Sequence, residues 1–322
     1  MIWDLHGLPI NVEWDDPQLG DRWQTAFASR PPSDDDPQLS FSVQLVGEVP
    51  APPTEPPQFR QTDLVEYYTG EALVIAHLPR YGQLQLDLLN GVTTGQLIPA
   101  ALDTYGVFED LIAIGLSPHL RRRGMYLIHA FAAVRPSSAA LSPEAEAGGR
   151  DGVLIVGTIG AGKTTTGMAL LNAGWKLLSN DSPILSASGD ILSYPGLLAA
   201  YPNTFARFEA TRHLAENADP AQKLSLPAES VWPTIWLEHA WPGAILFPQI
   251  EPRTDHVLEL LRQPEALRMI LPHAIEQWDK AMIPAHLALL NELIQAAPAY
   301  RLRLGPETST LPEIIASALP GS

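Results

Sequence analysis

Short runs that alternate apolar with polar residues occupy much of the first hundred positions. Ser40-Phe-Ser-Val-Gln-Leu-Val46, Ala72-Leu-Val-Ile-Ala-His77 and Gln83-Leu-Gln-Leu-Asp-Leu-Leu89 follow the two-residue period of half-buried strands. The last run ends at Asn90-Gly91, a pair suited to the positive φ angles of a hairpin turn. Two proline-rich segments, residues 30–37 and 49–57, lack the N–H groups that a central strand or helix interior needs, so they are expected to be loops. The period then changes. Over residues 103–116, Val107, Leu111, Ile112 and Leu116 recur at helical spacing.

Further along, Met125-Tyr-Leu-Ile-His-Ala-Phe-Ala-Ala-Val134 is expected as one buried strand, and the Ser-, Glu-, Ala- and Gly-containing residues 136–151 as a mobile loop. Val153-Leu-Ile-Val156 predicts another buried strand and residues 164–172 a helix. Trp175-Lys-Leu-Leu178 predicts a short strand that runs into Ser179-Asn180-Asp181. The runs 184–187 and 191–194 flank Ser188-Gly-Asp190 as a hairpin. Residues 243–247 suit a strand, Ile283, Leu287, Leu290 and Ile294 one face of a helix, and residues 311–319 a final short helix. No internal repeat is present. The pattern predicts an α/β chain of α+β, mixed-sheet type, with a β-rich unit over residues 1–118 and a second unit over 119–322.

Between the strand 153–156 and the helix lies Gly157-Thr158-Ile159-Gly160-Ala161-Gly162-Lys163-Thr164, a complete phosphate-binding loop. Glycine lets the backbone curl around a phosphate chain with its N–H groups pointing inward, where a β-carbon would block close approach. Lys163 is placed to reach the β and γ phosphates and Thr164 to offer its hydroxyl to Mg²⁺, while the helix N-terminus favours the same anion. The expected triphosphate contacts are Gly157, Thr158, Ile159, Gly160, Ala161, Gly162, Lys163, Thr164 and Thr165. A lysine between a glycine loop and a helix start has little other use.

Composition narrows the partners. A net charge of −16 argues against nucleic acid, whose phosphates need a basic surface. The 322 residues contain no cysteine, which removes disulfides and thiolate metal sites. No run approaches the 18 or so apolar residues of a membrane span, and the first residues lack a basic stretch leading into an apolar one, so a cytoplasmic location is expected.

A phosphate loop names a ligand and not a reaction. Asp181, at the end of a short strand, is a candidate Mg²⁺ ligand or general base; the alternative is a polar turn that satisfies its own backbone. His129 interrupts an apolar strand and either approaches the phosphates or bonds a core carbonyl. Arg121-Arg122-Arg123 is the one strong basic run, and reads as a solvated turn before it reads as a phosphate clamp. Lys223 and Arg207 follow the hairpin, with nothing local to give them a role. Trp232, Trp236 and Trp241 suit packing.

The order Arg123-Gly-Met-Tyr-Leu-Ile-His129-Ala, then Gly152-Val-Leu-Ile-Val-Gly157 to Gly162-Lys163-Thr164, then Gly174-Trp-Lys-Leu-Leu-Ser-Asn-Asp181 resembles the catalytic core of HPr kinase/phosphorylase and HPr-kinase-like proteins. That P-loop fold is shared with phosphoenolpyruvate carboxykinase. The resemblance is specific over residues 121–198 and weaker beyond, and it does not cover residues 1–100. It implies an ATP- and Mg²⁺-dependent kinase that moves the γ-phosphate to a hydroxyl of a peptide, small protein or metabolite. It further implies Lys163, Asp181 and His129 as catalytic residues, Thr164 and Asp181 on the metal, and an assembly of several copies. Two departures stand out. Asn180 replaces the first of the family's consecutive aspartates, and the Glu-x-Arg-Gly-rich motif of the bifunctional enzymes is missing, so phosphorylase activity is not expected. The alternative is a kinase-derived regulator that binds nucleotide and transfers little.

Overall fold

The computed structural model describes residues 1–27, 30, 32–61, 64–136 and 149–320, so most of the loop expected at 136–151 lies outside the described residues. The fold is mixed α/β, with sheets that contain both parallel and antiparallel pairs. The chain divides into two compact units, Met1–Met125 with Glu276–Ile283, and Tyr126–Ile275 with Pro284–Ser322. The division expected after residue 118 falls inside the helix Val107–Arg121.

The first unit holds an eight-stranded sheet. The three alternating runs form Leu39–Leu45, Leu73–Leu78 and Gly82–Asp87. Asn90-Gly91 turns the last of these into Val92–Leu97, with Gly91 at φ 69° and the Asp87 carboxylate accepting from the N–H groups of Leu89 and Asn90. Alternation does not find Val92–Leu97 because its inward residue Thr93 is polar. Its hydroxyl is satisfied in the core by the Gly115 carbonyl at 2.9 Å. A β-carbon at Gly115 would lie 2.4 Å from the Phe41 ring, so glycine is what lets the helix Val107–Arg121 approach the sheet so closely.

Arg121 and Arg122 overturn the solvated reading of the arginine run, whereas Arg123 is exposed. Arg121 is 3% exposed, and Arg121 and Arg122 both grip the equally buried Asp279 at 2.9 Å. Burial presses the Asp279 carboxyl upward, but the two guanidiniums more than reverse this and hold it below the usual range.

In the second unit the central sheet runs in the order Lys176–Ser179, Ala130–Val134, Gly152–Val156, Pro242–Ile250, Ala299–Leu304, Val257–Leu260. The loop strand Gly152–Val156 is antiparallel to Ala130–Val134 and parallel to Pro242–Ile250. The helix Lys163–Asn172 packs Met168, Leu170 and Leu171 against Phe131, Val153 and Ile155. Burying each such side chain contributes roughly 1.5–3 kcal/mol. Gly167 makes this contact tight, since a β-carbon there would stand 2.4 Å from the Phe131 ring.

Two expectations are corrected in detail. The run 125–134 is not one strand but Met125–Leu127 and Ala130–Val134. It breaks because the N–H groups of Ile128, His129 and Ala130 donate to three separate carbonyls, those of Pro183, His273 and Asp181. The helix Ile283–Ala296 buries His286, Leu289, Leu290, Leu293 and Ile294, while Leu287 is 36% exposed, so its inward face is rotated from the expected one.

Candidate functional site

The loop strand ends at Val156, which sits opposite Ala130 in the antiparallel ladder. This register brings His129, the residue before Ala130, beside the phosphate loop. The neighbouring antiparallel strand, Lys176–Ser179, runs toward the same end, and its continuation is tied there by the Ala130 N–H bond to the Asp181 carbonyl at 2.9 Å. Three segments remote in sequence therefore converge by strand register alone.

Gly160 at φ 82° and Gly162 at φ 103° take left-handed conformations that side chains resist, and they curl the loop. The helix begins at Lys163 with no side-chain cap and no acidic residue in its first turn. Its first N–H groups thus keep their positive end free of any protein carboxylate, as an anion site requires. Thr158, Ile159 and Gly160 are exposed, with Ile159 at 87%, while Ala161, Gly162, Thr164 and Thr165 are half-buried.

Lys163 is buried, and its ammonium turns back onto the loop, donating to the carbonyls of Gly157 at 2.6 Å and Thr158 at 3.3 Å. Its third direction meets His129 Nε2 at 3.1 Å. The other ring nitrogen, Nδ1, faces Asp181 Oδ1 at 3.3 Å. An ammonium can only donate, so Nε2 accepts and the imidazole proton sits on Nδ1, on the side of the carboxylate. Burial pushes the Lys163 pKa down; Asp181 opposes that shift, and the charge of Lys223 adds to it.

His129 is 40% exposed and Asp181 54%, so both are open to a ligand. Asn180 is committed elsewhere: its Nδ2 donates to the Leu197 carbonyl at 3.2 Å, and its Oδ1 is buried without a hydrogen-bond partner. Sequence reasoning missed His273, whose backbone carbonyl accepts from the His129 N–H at 2.7 Å and whose ring lies 6.2 Å from that of His129. Burial, then the charges of His129 and Lys163, keep the His273 pKa low. No local signal marks His273, which follows a proline in a short helical turn.

A cavity of about 530 Å³ opens beside the helix start, lined by Gly162, Thr165 and Thr166 on one side and by Ile250, Arg253 and Leu304 among others. Arg207 also lines it and donates to the Pro306 carbonyl at 3.3 Å. Trp232 and Trp236 pack against the core, and Trp236 donates to Glu229 at 2.9 Å.

Among the described residues no group of three His, Asp or Glu side chains could hold a metal. No helix among the described residues is long and apolar enough to cross a membrane. No protein-family profile matches the chain, and no curated protein is significantly similar to it.

Proposed function

We propose that this protein is an ATP-dependent phosphotransferase with an HPr-kinase-like P-loop core, moving the γ-phosphate of ATP to a hydroxyl of a peptide, small protein or metabolite. The observation that carries the reading is the chain from Lys163 through His129 to Asp181 at the mouth of a complete phosphate loop. In the transfer, the acceptor oxygen forms a bond to the γ-phosphorus as the bond to the β,γ-bridging oxygen breaks, releasing ADP. Loop N–H groups and Lys163 carry the phosphate charge. Mg²⁺ bound with ATP supplies further neutralisation of that charge.

When Lys163 turns from the loop carbonyls to the phosphates, it releases the Nε2 lone pair of His129. Asp181, 3.3 Å from Nδ1, would hold the Nδ1–H and so present that lone pair to the acceptor hydroxyl, whose proton passes to Nε2 as the oxygen attacks. Thr164 and the oxygen of Asp181 not facing His129 would hold the metal. The cavity beside Thr165 has the size and apolar walls to take the nucleoside.

Incubation with Mg²⁺ and ATP labelled in the γ-phosphate, alone and with candidate hydroxyl acceptors, tests the reading. Label appearing on an acceptor supports it. The second reading, a nucleotide-binding regulator, rests on Asn180, which cannot replace a carboxylate as proton acceptor. Tight binding without transfer, together with transfer gained in Asn180→Asp, would favour that regulator and sink the kinase.

A further inference from the structure

A histidine closes the central sheet of the second unit where it meets the glycine-rich loop. In the antiparallel ladder between Val257–Leu260 and Ala299–Leu304, Val257 pairs with Arg303. Just past that end, the Gly305 N–H donates not to a backbone carbonyl but to Nδ1 of His256, at 3.0 Å. The other ring nitrogen, Nε2, bonds the Glu307 carbonyl. A backbone N–H can only donate, so Nδ1 accepts and the ring proton sits on Nε2, which donates it to that carbonyl. One neutral ring thus grips residues 305–307 at both ends.

The gripped segment lies tight against its neighbours. A β-carbon at Gly305 would stand 3.0 Å from the Asp255 carbonyl oxygen and from the Thr254 carbonyl carbon, so glycine is what lets this backbone press on the 254–255 turn. Arg207 adds a further tie, donating to the Pro306 carbonyl at 3.3 Å. Thr254, Gly305, Pro306 and Thr308 all line the cavity of about 530 Å³ that opens at the helix start. Leu304, the residue before the gripped segment, touches the glycine-rich loop itself: a β-carbon at Gly162 would lie 2.6 Å from Leu304 Cδ1. His256, the cavity wall and the loop are therefore joined by direct contacts.

We infer that His256 is a positioning residue that clasps this wall in place, and so governs affinity for the nucleoside end of the ligand but not for its phosphate chain. The inference rests on the nucleoside reading of the cavity. Both ring nitrogens are engaged by backbone groups, so His256 acts through residues 305–307. Without the ring, the Gly305 N–H and the Glu307 carbonyl turn to water, and the wall gains freedom that a bound nucleoside must then remove. On the same reading the phosphate contacts belong to the loop N–H groups and Lys163, whose geometry depends on Gly160 and Gly162 and not on this segment.

Calorimetry on the full chain with Mg²⁺ and either AMP-PNP or inorganic tripolyphosphate tests this. His256→Ala is expected to weaken AMP-PNP about tenfold and tripolyphosphate less than about twofold. His256→Asn, whose side-chain oxygen can accept in place of Nδ1, should recover part of the loss. Equal losses for the two ligands, or none for either, would overturn the role of His256. Wild-type protein that binds AMP-PNP no more tightly than tripolyphosphate would instead overturn the nucleoside reading of the cavity, and the inference with it. Nitrogen-15 NMR of the ligand-free protein checks the clasp without any variant: a single His256 tautomer is expected, protonated at Nε2. A mixture of tautomers would refute the clasp whatever the ligands do.

Discussion

His129 stands between Lys163 and Asp181, accepting from the ammonium at 3.1 Å and presenting Nδ1 to the carboxylate at 3.3 Å. On the proposed reading, the arrangement would orient a proton acceptor and keep it occupied until a phosphate draws the lysine away. Removing the ring should therefore harm chemistry more than binding. His129→Ala is expected to lower turnover about 10²- to 10⁴-fold with ATP affinity nearly unchanged. Melting temperature is the control, since a fall in stability with normal turnover would make His129 a structural residue.

Lys163 is expected to be required for binding. Lys163→Ala removes a charge-assisted contact to phosphate, about 1.5–3 kcal/mol, or roughly 10- to 150-fold in affinity. The fold should survive, because the loop carbonyls of Gly157 and Thr158 that the ammonium satisfies can be reached by water at this exposed loop. Calorimetric affinity equal to wild type would show that the loop is not the site.

Asn180→Asp should cost stability. The substitution puts a carboxylate where Nδ2 now donates to the Leu197 carbonyl, replacing a donor with a second acceptor. An unmade bond of this kind costs about 1–3 kcal/mol, and urea denaturation of the ligand-free protein reads it. Undiminished stability would mean that the Leu197 contact contributes little.

Asp279 anchors residues 276–283 to the first unit through two arginines. Asp279→Ala leaves Arg121 buried without its counter-charge, for which losses of about 3–5 kcal/mol are typical. The outcome is read as a lower urea midpoint, and Arg121→Met combined with Asp279→Ala should recover part of the loss, because it removes the stranded charge as well.

His119 makes the first unit acid-sensitive. Its Nε2 lies 3.0 Å from the Thr93 hydroxyl, which itself donates to Gly115, so the ring donates through Nε2 and leaves Nδ1 buried without a partner. Burial, reinforced by Arg123 and Arg122, lowers its pKa to about 4. The folded state thus resists a proton that the unfolded chain accepts near pH 6.5. Stability from this group is full above that value and falls as the pH drops toward 4, by roughly 3 kcal/mol in all. Melting followed from pH 7 to 4 should show a shallower decline in His119→Gln than in wild type.

The glycine-rich loop, its strand and its helix were legible because each depends on neighbours in the chain. Glycine at 160 and 162 permits the left-handed turns, and a four-residue apolar run before them forms a buried strand wherever it is packed. The hairpin at Asn90-Gly91 was legible for the same reason. Val92–Leu97 was not, because Thr93 is buried through a hydrogen bond to a residue of another element and so looks like a surface position.

From sequence alone, this chain determined the local geometry of a glycine-rich strand–loop–helix turn, the lysine at its helix start, and a net charge of −16. Tertiary structure decided which side chains share that site. His129 reaches Lys163 only because Ala130 pairs with Val156, and Asp181 arrives only through the next antiparallel strand. Arg121 is likewise buried only through a carboxylate 158 residues away. Local propensities act over a few residues, whereas the pairing register that assembles these groups is set by the burial of whole strand faces at once.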